Sequence, residues 1–183
     1  MARPKKPSTT ADMVRSLAVI LIPVVIITYF FTRSPDEPAV QVIDFAPALA
    51  QARDQAPYQV LAPAAVPAGW QATKAVWLKA GDAGLNGAAS PRNQWELGFL
   101  TADNVYLELD QGDLRSQELV GDRTRGGVPD GQSTIGDQAW ERRISPDERT
   151  RSLVLVTRSV TTIVVGDLPY GALETFASAL RTS

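Results

Sequence analysis

Residues 94–110 read QWELGFLTADNVYLELD. Trp95, Leu97 and Phe99 alternate with polar or small residues, and so do Val105, Leu107 and Leu109. Period-two alternation on both sides of a polar turn predicts an antiparallel hairpin with one apolar face. The turn length decides whether the faces agree, because directly opposed residues on antiparallel strands point to the same side. A four-residue loop at 101–104 would set Phe99 opposite Tyr106 and mix the faces. A three-residue loop at 102–104 sets Phe99 opposite Leu107 and Leu97 opposite Leu109. Such a loop needs a left-handed residue at its end, which Asn104 tolerates. A positive φ at Asn104 is therefore expected.

Working outward, Trp70 to Lys79 is a strand of imperfect alternation, followed by the flexible loop GDAGLNGAAS at 81–90. Downstream, residues 111–135 are polar and turn-rich and predict a long, mobile excursion. Gly136 to Ile144 reads as a strand carrying Trp140, and Ser145 to Glu148 suits a type I turn. Arg151 to Val165 holds two strongly apolar strands. Leu153 to Val156 is apolar on both faces, which predicts a central strand. Five Gly-Asp pairs punctuate turns rather than forming a repeat. Leu173, Phe176, Ala177 and Leu180 make a core-facing stripe on a helix from about Pro169 to Arg181. A thinner stripe of Phe45, Leu49, Ala52 and Ala56 predicts a surface helix within 42–56. Together these predict an α+β domain over 42–183. Its mainly antiparallel sheet has five to seven strands, with helices packed on one face. By this phasing the four tryptophans, Trp70, Trp77, Trp95 and Trp140, are mostly core, with one or two available to line a groove.

Ahead of this domain, residues 16–32 read SLAVILIPVVIITYFFT, 17 residues without a charge between Arg15 and Arg33. As a helix they span roughly 25 Å, the lower end for a bilayer crossing. No A-x-A site follows the run directly, so the stretch reads as an uncleaved transmembrane helix rather than a signal peptide. The basic tail at 1–15 should then stay cytoplasmic, with 33–41 as linker and the domain extracytoplasmic at the cell membrane. The tail's Ser8, Thr9 and Thr10 follow lysines and offer phosphorylation sites. An ordinary positive-inside signal explains the same charges.

The 183-residue chain has 44% hydrophobic residues, enough for a packed core, and a formal net charge of −2. Residues 1–33 are basic and the remainder acidic, which argues against a nucleic-acid partner. The chain has no cysteine and no histidine. Disulfides, thiolate nucleophiles, serine–histidine catalysis and the commonest metal ligands are thereby excluded.

The stretches TADMVRSLAVILIPV, PALAQARDQAPYQVLAPAAVPAGW, WELGFLTADNVYLEL, GDQAWERR and ALETFASALR occur here in that order. The sequence resembles a family of membrane-anchored proteins of high-GC Gram-positive bacteria catalogued as domain of unknown function 4245. The resemblance implies a single-pass envelope protein and transfers no catalytic residue.

Glu108 and Asp110 share one strand face, with Glu96 across from them. Paired carboxylates do glycoside chemistry or bind calcium, but they also mark the wet face of a sheet. Lys74 and Lys79 read as solvated. Gly81, Gly84 and Gly87 lack the strand-to-helix context of a phosphate loop. Arg123, Arg125, Arg142, Arg143, Arg149 and Arg151 are interleaved with acids and read as a mixed surface. The candidate ligand or partner surface is Glu96, Tyr106, Glu108, Asp110, Arg142 and Arg143, with no cofactor or metal assigned. The expected function is non-catalytic binding of an envelope protein or wall component by a bilayer-anchored domain. The alternatives are a carboxylate-dependent hydrolase of cell-wall polymers and an apolar-ligand (lipid) carrier.

Overall fold

The computed structural model describes residues 10–32, 41–84, 87–114 and 116–182. Ser8, Thr9 and nearly all of the expected linker lie outside the described residues. The chain divides into two compact units, Met1–Val40 and Gln41–Ser183.

In the first unit, helix α1 (Thr10–Thr32) contains Pro23. Leu17, Val19, Ile20, Leu21, Ile22, Val24, Val25, Ile26 and Ile27 are all exposed along it. Among the described residues, no helix is long and apolar enough to cross a membrane. The fold thus does not support the expected transmembrane span. Its uncharged run is about 5 Å shorter than a bilayer's hydrocarbon core.

The second unit runs α2 (Ala46–Gln55), β1 (Ala62–Pro63), β2 (Gln71–Leu78), β3 (Gln94–Leu100), β4 (Tyr106–Gly112) and α3 (Ser116–Arg123). It continues with β5 (Val128–Ile135), β6 (Gln138–Ile144), β7 (Arg151–Val156), β8 (Thr161–Gly166), α4 (Tyr170–Ser178) and β9 (Leu180–Arg181). Seven strands form one sheet in the order β2-β3-β4-β8-β7-β6-β5, with every neighbouring pair antiparallel. Strands β1 and β9 make a separate two-stranded pair. The architecture is α+β, with a mainly antiparallel sheet and, among the described residues, four helices.

The hairpin register is the expected one. Phe99 pairs with Leu107, Leu97 pairs with Leu109, and Asn104 has φ 58°. The turn at 145–148 closes by a bond from Glu148 N to Ser145 O of 2.9 Å. Strand β7 is interior, between β6 and β8.

One sheet face carries the main core. Trp95, Leu97 and Phe99 of β3 meet Leu107 and Leu109 of β4, Leu153 of β7 and Val164 of β8. Ala52 of α2 and Leu173, Phe176 and Ala177 of α4 close over them. The Phe176 ring stacks on Trp70 at 5.7 Å and meets Phe99 edge-on at 5.7 Å. Each such enclosed side chain contributes about 1.5–3 kcal/mol by leaving water.

Two expectations are corrected on the other face. The 111–135 segment is not a mobile excursion. It continues β4 to Gly112, forms α3 and then supplies the edge strand β5. Nor do helices occupy one face alone. Leu119 and Val120 of α3 pack on Val154, Ile163 and Val165, the opposite-facing residues of β7 and β8. A strand apolar on both faces needs cover on both, and α3 provides the second cover.

Candidate functional site

The α3 face of the sheet carries the charged residues of β3 and β4. Alternation puts Trp95, Leu97 and Phe99 into the main core and so turns Gln94, Glu96 and Gly98 the other way. The β3–β4 register then sets Glu96 opposite Asp110 and Gly98 opposite Glu108. Strand β2 joins through an irregularity between Ala72 and Lys74. Ala72 pairs with Phe99, whereas Lys74 pairs with Gly98. That shift delivers Lys74 to the carboxylate face.

Lys74 Nζ lies 2.6 Å from Glu108 Oε1 and also ion-pairs Glu96. Arg123, in the last turn of α3, binds Glu96 and approaches Asp110 Oδ1 at 3.2 Å and Glu108 at 3.9 Å. Its position suits a helix C-terminus, where a cation meets the negative dipole end. Gln94 Nε2 donates to Glu96 Oε1 at 2.5 Å. Asp110 is fully enclosed, and neither of its carboxylate oxygens has a hydrogen-bond partner.

Tyr106 completes the group. Its hydroxyl lies 2.2 Å from where a Cβ on Gly98 would sit, so the ring crosses the strand only because residue 98 is glycine. Burial, and then the Glu108 charge, push the Tyr106 phenol above its usual range. Burial, and then Glu108, also push the Asp110 carboxyl well above the usual carboxylate range. For Lys74, burial pulls downward but Glu108 and Glu96 outweigh it, so the ammonium is held charged beyond its ordinary range. Arg123 is likewise raised, its burial outweighed by Asp110, Glu96 and Glu108.

Glu96, Glu108 and Asp110 can each offer an oxygen within 4.8 Å of the others. Lys74 and Arg123 already bind those carboxylates, however, so the cluster carries its own cations. Two clefts flank it. One, of about 510 Å³, is lined by Tyr106, Glu108, Arg123, Arg125 and Arg149 among others. The second, of about 450 Å³, is bordered by Lys74, Val76, Gln94, Glu96 and Arg123.

Four of the six candidate residues, Glu96, Tyr106, Glu108 and Asp110, thus come together. Arg142 and Arg143 do not join them. Arg142 binds Glu174 at 2.6 Å and Ser133 Oγ at 2.6 Å, and its guanidinium lies 4.9 Å over the Tyr170 ring. Arg143 ion-pairs Glu141 and donates to Gly127 O at 2.7 Å. Two expectations at the cluster are corrected. The carboxylate face is not wet, because α3 and Arg123 cover it. Lys74 is not solvated, because it bridges Glu96 and Glu108. The available signal was its single positive charge near three acids that alternation placed on one face.

A family model described as "Protein of unknown function (DUF4245)" matches residues 5–180. No curated protein matches the chain. Among solved structures, the "Crystal structure of MucB in complex with MucA(peri)" is similar at 17% identity with a TM-score of 0.37. That likeness covers 66% of this chain and 36% of that chain, so this chain spans about a third of the other's length. It is too slight to carry over detail of fold or function.

Proposed function

Since the chain belongs to the family described as "Protein of unknown function (DUF4245)", a description that assigns no reaction, we propose a function from its geometry: a bilayer-attached binding domain without catalysis. In this reading α1 seats in the cell membrane. The 41–182 domain stands on the extracytoplasmic side and offers the cleft beside Tyr106, Arg123 and Arg149 to an envelope protein or wall component.

The observation that carries the reading is the exposure of α1's large apolar side chains from Met13 to Tyr29. A helix apolar on every side needs a non-aqueous cover. Two of its hydroxyls are turned back on the backbone. Ser16 Oγ donates to Met13 O at 2.9 Å and Thr28 Oγ1 to Val24 O at 2.7 Å, which suits an apolar surrounding. For a short apolar run, snorkelling of Arg15 and local thinning of the bilayer make up the missing length.

The hydrolase alternative needs two carboxyl groups roughly 5–10 Å apart flanking an open cleft. Here one oxygen from each of three carboxylates lies within 4.8 Å of the others, Glu96 and Glu108 are ion-paired by Lys74, and Asp110 is fully enclosed, which is unlike two separated carboxyl groups lining an open cleft. The carrier alternative needs an apolar cavity between sheet and helices. Trp95, Leu97, Phe99, Leu107, Leu109 and Leu173 fill that space with no exposure.

The test is single-cysteine labelling of intact cells, made clean by the absence of native cysteine. Full-length chain in the membrane fraction, with Arg158→Cys labelled by an impermeant reagent and Ser8→Cys protected, is expected. Chain in the soluble fraction, or label at Ser8→Cys alone, overturns the reading.

A further inference from the structure

Among the described residues, the carboxylate cluster is one positive charge short. Asp110 shares its face with charged or polar groups from three neighbouring elements. These are Lys74 of β2, Gln94 and Glu96 of β3, and Arg123 of α3. Its own strand adds Tyr106 and Glu108. From β8 the residue opposite is Ile163, which brings no charge. Arg92, further along the face at Gly112, is paired with Glu118 of α3. Among the described residues, three carboxylates therefore meet two cations, with phenol and amide neutral.

Glu96 and Glu108 take the ion pairs of Lys74, and Arg123 binds Glu96 directly. Asp110 is left with no exposure, with one ion-pair contact at 3.2 Å and with two oxygens that accept no hydrogen bond. An enclosed third negative charge directly across from Glu96 is strongly unfavourable. The deficit can be made up by a metal ion or by a proton. Lys74 and Arg123 already ion-pair these carboxylates and would repel an added metal ion. A proton needs no added volume.

We propose that Asp110 is protonated at neutral pH, so that the cluster stores one proton beneath α3, and that its loss at alkaline pH loosens α3 from the sheet. The ionised form needs water, and α3 packs on this sheet face with Arg123 at the cluster. Leu119, Val120 and Arg123 tie that helix to the sheet, so it can lift while the main core on the opposite face stays packed. Lifting would also withdraw Arg123 from both flanking clefts. The inference is independent of membrane attachment.

The sign follows from linkage. A carboxyl that titrates higher in the folded state than in the unfolded one stabilises fully below the unfolded pKa. That contribution is lost as pH rises towards and through the folded pKa. Asp110→Asn, which mimics the neutral form, should raise the melting temperature of the full chain in detergent, by a margin that grows from pH 4 to pH 9. Two measurements on the unaltered chain carry the test if the variant does not fold. The carboxyl 13C resonance of Asp110 should show the protonated form at pH 7. Amide-exchange protection of Leu119 and Val120 should fall with rising pH relative to amides of β3. An Asp110 resonance that titrates near pH 4 overturns the proposal. So does a melting temperature that Asp110→Asn lowers at every pH, or one that calcium or manganese raises only when Asp110 is intact.

Discussion

Glu96 and Asp110 face each other directly across the β3–β4 ladder, and one guanidinium, that of Arg123, reaches both. Ionising both would set like charges in cross-strand register, so the pairing rests on that arginine and on the proton held by Asp110. Removing the arginine leaves Lys74 alone to balance the enclosed Glu96 and Glu108. Arg123→Ala should lower the stability of the full chain by roughly 2–4 kcal/mol, the cost of breaking a buried pair reduced for partial solvent access. The urea midpoint at pH 7 reads it. Arg123→Lys, which keeps charge but loses the fork, should recover only part.

Gly98 and Tyr106 form a second coupled pair. Gly98→Ala drives a methyl into the Tyr106 ring and should destabilise by about 1–3 kcal/mol. In Gly98→Ala/Tyr106→Ala the clash has no partner. The two effects should then be strongly non-additive in a double-mutant cycle of thermal stability. Additive losses would show that Tyr106 does not depend on the missing side chain.

Asn104 tests the turn. At φ 58° a β-branched residue is strained, so Asn104→Val should cost about 1–2 kcal/mol, whereas Asn104→Gly should be nearly neutral. Denaturant midpoints for both variants measure the difference.

Glu174 tests the link from α4 to the far edge of the sheet. Ser133 and Arg142 both bond Glu174, and these bonds, Ser133 first, hold its carboxyl below the ordinary range. A depressed folded pKa contributes stability above the unfolded value of about 4.5, and that contribution is lost as pH falls through the folded pKa. Ser133→Ala should move the Glu174 carboxyl 13C titration upward towards the ordinary range. It should also flatten the acid limb of the stability profile.

The elements that sequence alone disclosed are those in which one period ran unbroken. The 94–110 hairpin was readable because a three-residue loop, unlike a four-residue one, lets Phe99 and Leu107 share a face. The stripe of Leu173, Phe176 and Ala177 named the face of α4 in the same way. Helix α3 was hidden because SQELVGDR holds only Leu119 and Val120 as large apolar residues, too few to set a period. Its signature lay elsewhere, in the two-faced apolarity of β7 and β8, which demanded a second cover. Half of the site was legible from strand phase, which put Glu96, Glu108 and Asp110 together. The other half was not. Lys74 reaches them through an irregularity in β2 that no alternation rule supplies, and Arg123 through a helix not foreseen.

The pairing of β1 with β9 sets a timetable. Ala62 pairs in register with Arg181 and Pro63 with Leu180, so one of the first-made stretches of this domain closes on one of its last. During synthesis the 62–63 segment must wait, its outward backbone groups held by water, until nearly all of the domain has emerged. Contacts of such long sequence separation form late and slowly. The same two-residue seam then acts as a lock, because fraying at 180–181 loosens the segment beside α2 at the domain's opposite end in sequence.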